Sequence, residues 1–559
     1  MSPAKRRKQP AAAKSPPVAT RSSAAATLPP AATAPPTRLA AGARTRLMVT
    51  LACFVAFLVV GLGVYRDYGI SWDEVPTREF GMMNVRGVIP DVVALDSLRA
   101  EKGPAFERFG PLFEIVLVHA EDVLHLTDSQ SIFFTRHLLT FLTFYLGVVL
   151  FYLFCRRRFD WGISLLAAAC LVLTPQMFSH AFFNTKDISF LTAFVAAVLT
   201  LDVMLARPEW RRVLLHGVVT ALLMGTRVIG LFAMMLTGMA AFARHPTWRT
   251  VGLLAAYGVV VAVLLPVVWP VLRIDPVGIL KDAVLGATAN PYTRTDLFRG
   301  QTIPANQLPW DYIPTWIAIT TPLVISLLFV VGTARTVAAV VTAPARFLRE
   351  EQRDVIVLSW FLLPVAGTVV LRPIMYDGWR HLYFVYPAMV YLAAVGMELL
   401  ARRARPKLRA QHERYAAPAL VALLLLGLAP STLFMIRNHP HEHLYFNRLA
   451  GSDMQQIKSR FELDYWGLSY RRALEYIVSS DRSSTIRVQA ANYPGIVNSL
   501  MLPAHERARI RFVSADSPAD YFVTNYRFHP EPYPLPDEVF SVRVGNASIA
   551  SVFRLRRAP

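Results

Sequence analysis

The chain has 559 residues, of which 54% are hydrophobic and 17% charged, with a formal net charge of +20. That balance excludes a soluble multidomain enzyme, because apolar runs able to cross ~30 Å of hydrocarbon recur between residues 46 and 436. Nor does the positive charge point to nucleic acid. The basic residues sit in short loops between apolar segments, as cytoplasmic loops of a polytopic membrane protein do.

Residues 1–45 are rich in Ala, Pro, Ser, Lys and Arg and contain no acid, so they read as a disordered basic cytoplasmic tail that meets anionic membrane lipids. The apolar segment 46–65 is longer than a signal-peptide core and reads as an uncleaved anchor. Further spans are expected at 132–154, 161–179, 188–206, 213–227, 229–243, 250–271, 312–334, 354–371, 382–401 and 416–436, about eleven transmembrane helices in all. Starting from an inside N-terminus, alternation puts CRRRFD, RPEWRR, RHPTWR, the stretch 334–353 and RRARPKLRAQHER on the cytoplasmic side of the cytoplasmic (inner) membrane. The stretch 213–243 decides this topology. As one helix it would reverse every later loop, whereas a hairpin turning at Gly225-Thr226-Arg227 keeps the basic loops together, even with a first limb of only ~21 Å.

Three regions then fall outside the cytoplasm. The loop 66–131 is expected to carry helices near 76–87 and 111–126, and the loop 272–311 contains Pro and Trp. The third, 437–559, lacks long apolar runs. Its short β-like runs TIRVQAA, RIRFVSA, ADYFVTN and VFSVRV-GN-ASIASVFRL, with a helix near 468–479, predict a small extracytoplasmic α/β domain. The fold expected is an all-α polytopic membrane domain over 46–436 with that α/β appendage.

Charged clusters gather at the outer ends of the spans. They are Asp73-Glu74 in GISWDEVPTREF, the group His180, Asn184, Lys186 and Asp187 in SHAFFNTKDISF, Arg227 at the hairpin tip, and Asp377, Arg380 and His381 in MYDGWRHLYFVYP. Arg136 starts the second span. Ionisable groups at membrane depth are costly unless paired or functional. Cations on the side that the charge rule depletes fit an anionic ligand at the headgroup level, since guanidinium forks match phosphate oxygens and Lys adds a point charge. Each cluster also has a plainer reading: Asp73-Glu74 as a helix cap, Asn184 to Asp187 as a capped turn, Arg380 and Tyr383 as interfacial anchors. In the HPHEH run, His439, His441 and His443 offer metal-type ligands that need a fourth group, or form a polar linker after the last span. The three cysteines, Cys53, Cys155 and Cys170, lie in or beside apolar segments and give neither a metal pair nor a disulfide framework.

The W-D-E motif after the first span, with the strings NTKDISF, LPWDYIPTW, DGWRHLYFVYP, HLYFN and FELDYWGLSY, resembles the GT-C superfamily of membrane glycosyltransferases. It is most similar to bacterial relatives of protein O-mannosyltransferases and of the lipid A aminoarabinose transferase. The resemblance implies a GT-C-like fold and a hexosyl or pentosyl transferase that takes its sugar from a polyprenyl-phosphate donor. The acceptor would be a glycan, lipid or protein outside the cytoplasm. It implies Asp73 as catalytic base, Asp187 as a second acid and Arg227 and Arg380 at the donor phosphate; the charged clusters themselves add Glu74 beside the catalytic acids and Arg136, Lys186 and His381 to the phosphate site. It leaves a divalent metal cofactor open. Asp464, Tyr465 and Trp466 either stack on a sugar or dock the C-terminal domain, and docking is the simpler reading. A transporter or flippase for a lipid-linked glycan would share the spans, but should also carry charges on both faces of its pathway. A non-catalytic envelope scaffold would use the C-terminal domain as its binding module.

Overall fold

Each of the eleven expected apolar segments is helical, but they differ in how they span. The computed structural model describes residues 38–87, 109–286, 294–404 and 413–555, so most of the basic tail and part of the first loop lie outside the described residues. Among the described residues, eight helices are long and apolar enough to cross a membrane: Gly42–Val64, Ser129–Arg156, Thr185–Ala206, Trp248–Val268, Leu323–Thr342, Gln352–Leu371, Arg380–Arg403 and Pro418–Asn438. The protein is a multi-pass membrane protein. The expected span 161–179 is instead two helices, Trp161–Val172 and Pro175–Phe183, bent by 63°. The break falls where Pro175 lacks the N–H that would continue the ladder. By contacts the chain divides into Met1–Ala52 and Cys53–Pro559. In the first unit, helical backbone runs from Arg38 and Thr50 Oγ1 donates to the Arg46 carbonyl at 2.8 Å. All that follows concerns the second.

The hairpin exists. Its limbs, Trp210–Met224 and Leu231–Arg244, have 15 and 14 residues, too few to span alone. His216 bridges them to a third helix, with Nδ1 2.9 Å from Thr200 Oγ1 and Nε2 2.8 Å from Thr237 Oγ1. At one end Arg212 donates to the Val203 carbonyl and Arg244 to Gln352; at the other, Arg227 pairs with Asp187. The Arg-rich loops meet at the first end. There Asp202 lies between Arg157 and Arg353, while Asp354 takes Arg158 at 3.3 Å and Arg335 at 3.2 Å. Asp187 and Asp202 sit on the same helix, Thr185–Ala206, so the two charged ends are ~22 Å apart.

The expected span 312–334 is also broken, into Tyr312–Thr320 and Leu323–Thr342 at Thr321-Pro322. The break orphans helix C-terminal carbonyls, and the HLYFN motif answers them. Asn447 donates Nδ2 to Ala318 O at 2.6 Å and Thr321 O at 2.7 Å, and its backbone N–H to Ile319 O at 2.8 Å. Asn447→Ala should therefore destabilise the protein by roughly 1–3 kcal/mol through buried acceptors left unmet, read as a lower Tm in detergent.

Between spans, the loop 272–311 forms a helix, Pro276–Gly286, and an antiparallel hairpin, β1 (Thr295–Phe298) and β2 (Gln301–Pro304). Arg299 (φ 53°) and Gly300 (φ 83°) make its two-residue turn with both φ positive. The C-terminal α/β region follows expectation. β3 (Ile486–Ala490), β4 (Ile510–Phe512), β5 (Tyr521–Thr524), β6 (Glu538–Val544) and β7 (Ala547–Arg554) order as β4-β3-β5-β7-β6. β4, β3 and β5 run parallel, and β7 is antiparallel to both its neighbours. The helix Tyr470–Ser480 buries Tyr470, Ala473, Leu474, Ile477 and Val478, one helical face, against Ile486, Val488 and Val523 of the sheet.

Candidate functional site

Asp73 stands at the N-cap position of the helix Glu74–Val85, yet its side chain makes no capping bond. It turns inward: Oδ2 lies 3.1 Å from Lys186 Nζ and 3.3 Å from Arg380 Nη1. Burial would raise this carboxyl, but Lys186 and Arg380 hold it well below the usual aspartate range. Glu74 turns elsewhere: its Oε2 accepts from the Ser71 N–H at 2.6 Å, ahead of the helix, while Oε1 meets His137 Nε2 at 3.0 Å. Thus the two adjacent acids have separate environments.

Lys186 and Asp187 open the helix Thr185–Ala206. Asn184 caps it, accepting from the Asp187 N–H at 3.1 Å and donating Nδ2 to Asp187 Oδ2 at 2.8 Å. The cap and the cluster coexist, because capping fixes where Asp187 points. Arg227 Nη2 lies 2.5 Å from Asp187 Oδ1. Its loop is held by backbone contact: Phe109 bridges Arg227, and Leu112 N–H donates to Gly225 O at 3.0 Å. A Cβ at Gly110 would lie 2.1 Å from that carbonyl, so only glycine permits the approach.

Arg380 joins the pieces. Its Nη1 lies 3.6 Å from Asp187 Oδ2 as well as beside Asp73, and Nη2 is 3.3 Å from Asp377 Oδ2. The guanidinium stacks over the Trp466 ring at 4.7 Å. His381 meets the Tyr376 ring edge-on at 4.8 Å between centroids. Several polar nitrogens here remain unused. Arg227 Nε, Arg380 Nε and His381 Nδ1 are buried without a hydrogen-bond partner among the described residues.

Of the residues expected at the site, Asp73, Lys186, Asp187, Arg227 and Arg380 come together and His381 adjoins them. Arg136 and Glu74 stand apart. Arg136 is fully buried, pairing with Glu114 and with Glu121 Oε1 at 3.0 Å, and Arg78 also binds Glu121. Thr185 Oγ1 donates to Glu114, so this network braces the start of the helix that carries Lys186. From sequence, Trp466 has a stacking or docking role but no place beside Arg380, and Arg527 is not singled out; they approach from 86 and 147 residues beyond Arg380 in the chain. The FELDYWG motif bonds both within its own segment and to the loop after the first span. Asp464 accepts from the N–H groups of Gly467 at 3.1 Å and Ser469 at 3.0 Å, and Trp466 O accepts from the Trp72 N–H at 3.1 Å.

The HPHEH histidines separate to different partners. His439 meets Glu442 at 2.6 Å and Asp67 at 2.9 Å, and His443 meets Asp464 at 3.2 Å. Among the described residues no group of three or more His, Cys, Asp or Glu could hold a metal ion. Behind Asp377 lies a second acid group, where Tyr312 donates to Asp296. Burial, then Glu462 and Asp377, push the Asp296 carboxyl up to about 7. Its unfolded value is about 3.9, so the stability from protonated Asp296 is complete below pH ~4 and lost as pH rises through about 7. Asp296→Asn should flatten the fall of Tm between roughly pH 5 and 8, measured by thermal unfolding across that range.

Residues 126–273 match the family model of dolichyl-phosphate-mannose-protein mannosyltransferases. The match includes Arg136, Lys186, Asp187 and Arg227. No curated protein is similar enough to match. Among solved structures, the chain is similar to ArnT from Cupriavidus metallidurans bound to undecaprenyl phosphate, at 14% identity and TM-score 0.46, covering 90% of this chain and 97% of that one. The apo state of the same ArnT gives 14% identity and TM-score 0.47, covering 91% and 98%. The Archaeoglobus fulgidus oligosaccharyltransferase in its apo form gives 10% identity and TM-score 0.46; 84% of this chain is covered, and it spans 65% of the length of that protein.

Proposed function

We propose that the protein is a GT-C-type glycosyltransferase that moves a hexosyl or pentosyl unit from a polyprenyl-phosphate donor to an acceptor outside the cytoplasm. The observation that carries this reading is the cluster of Lys186, Arg227 and Arg380 around Asp73 and Asp187 at one end of the spans, with unpartnered Arg and His nitrogens among them. Kinship over residues 126–273 with a family of lipid-phosphate-sugar transferases favours the same chemistry.

In this mechanism the donor phosphate takes Lys186, Arg227 and Arg380 as its counter-ions, with His381 Nδ1 beside it. The glycosidic C1–O bond to phosphate breaks, and the polyprenyl phosphate leaves with the bonding pair, its charge met by the cations so that no separate acid is required. The sugar passes through an oxocarbenium-like state while the acceptor hydroxyl oxygen forms the new bond to C1 from the opposite face, with inversion. Its proton goes to Asp73. Donor binding prepares that step. When phosphate draws Lys186 and Arg380 away, Asp73 loses the charges that hold its acidity high and becomes a stronger base. Asp187 keeps Arg227 and Arg380 in place and orients the acceptor.

The reading is tested by mass spectrometry of envelope glycans, glycolipids and glycoproteins in a strain lacking the protein, complemented by wild type or by Asp73→Asn. One defined sugar should disappear and return only with wild type. Unchanged glycans in the deletion strain would remove the enzymatic reading.

A further inference from the structure

The three acids of the site each have a cation other than Arg380. Asp73 has Lys186 at 3.1 Å, Asp187 has Arg227 at 2.5 Å, and Asp377 has Arg527 Nη2 at 2.6 Å. Arg380 contacts all three acids, so it is the surplus positive charge only while every other pair is intact. Arg527 differs from the other cations in coming from the C-terminal α/β region, just after β5.

Its placement is strongly determined. Tyr526 and Phe528, on either side of Arg527, both have φ 62°, a left-handed conformation that non-glycine residues adopt at a cost. Asn525 Nδ2 donates to Asp464 O at 2.7 Å, the Arg527 N–H to Asn525 Oδ1 at 3.3 Å, and Arg527 Nη1 to Tyr465 O. The Arg527 guanidinium lies 5.0 Å from the Trp72 ring centroid, next to Asp73 in the chain. Contacts therefore close a circuit. Arg527 pairs with Asp377, Asp377 with Arg380, Arg380 stacks on Trp466, Trp466 O accepts from Trp72, and Trp72 stacks under Arg527. Asp296 and Glu462 also face Arg527, but burial raises both carboxyls and holds them toward the neutral form, which leaves Asp377 as its principal anion.

We propose that Arg527 is a positioning residue for the donor phosphate: by pairing with Asp377 it leaves the charge of Arg380 available to a lipid phosphate. This rests on the polyprenyl-phosphate reading above. The C-terminal region thereby completes the charge balance of the membrane-end site without touching substrate.

The test is equilibrium binding of a tritiated polyprenyl monophosphate to the full-length protein in lipid nanodiscs, for wild type, Arg527→Gln, Arg527→Lys and the double variant Asp377→Asn/Arg527→Gln. Arg527→Gln should bind roughly 10- to 30-fold more weakly, because Asp377 then claims Arg380. Removing the Asp377 charge as well should restore affinity to within roughly threefold of wild type, a coupling that a packing role would not produce. Arg527→Lys should also stay within roughly threefold. The double variant leaves no unmatched charge and so serves when the single variant folds poorly. Equal weakness in the double and single variants, or unchanged binding in Arg527→Gln, would overturn the proposal, as would a loss in Arg527→Lys as large as in Arg527→Gln. Failure of wild type itself to bind would instead reject the polyprenyl-phosphate reading, and this inference with it.

Discussion

Asp73→Asn is expected to lower sugar transfer by roughly 10²–10⁴-fold, the range of a lost general base, while polyprenyl-phosphate affinity holds or improves. The substitution is nearly isosteric and removes the negative charge that occupies Lys186 and Arg380. Both cations then meet the phosphate without displacing a carboxylate. Asp73 makes no capping bond, so the helix Glu74–Val85 should keep its stability, with Glu74 still accepting from the Ser71 N–H. Transfer and lipid binding measured on one preparation separate the two effects. A parallel loss of binding and transfer would make Asp73 a structural partner of Arg380 rather than the base.

Arg380→Gln should have the second large effect, and of another kind. It strips one guanidinium from Asp73, Asp187 and Asp377 together; each acid keeps its own cation, so the cost is that of the lost buried contacts, roughly 1–3 kcal/mol. Tm should fall and phosphate binding should be lost. Arg380→Lys keeps the charge but not the fork that reaches three carboxylates. It should fold close to wild type yet bind phosphate weakly. Binding in Arg380→Lys equal to wild type would assign Arg380 to folding alone.

Much of this arrangement was legible in the chain because two independent patterns agree. The basic loops fixed which ends of the helices meet, and the hairpin at Gly225-Thr226-Arg227 followed from charge alone, despite limbs too short to score as spans. That pattern alone places Asp73, Lys186, Asp187, Arg227 and Arg380 at one end of the spans. The breaks were less legible. A run such as 312–334 is apolar throughout, and its interruption at Thr321-Pro322 depends on Asn447, distant in sequence, to satisfy the freed carbonyls. Arg136 was hard to place for a related reason: position at a helix end does not say which partner is nearest, and this guanidinium pairs with Glu114 and Glu121. The β1/β2 hairpin turns on Arg-Gly rather than a stronger Asn-Gly or Asp-Gly signal. Arg527 had no sequence signal at all, because its role depends on a contact 150 residues away.

A structure of the protein with polyprenyl monophosphate bound tests the central claim most directly. The phosphate should lie within hydrogen-bonding reach of Lys186, Arg227 or Arg380, with the Asp73–Arg380 ion pair opened. Lipid density elsewhere, with Asp73 still paired to Lys186 and Arg380, would contradict it.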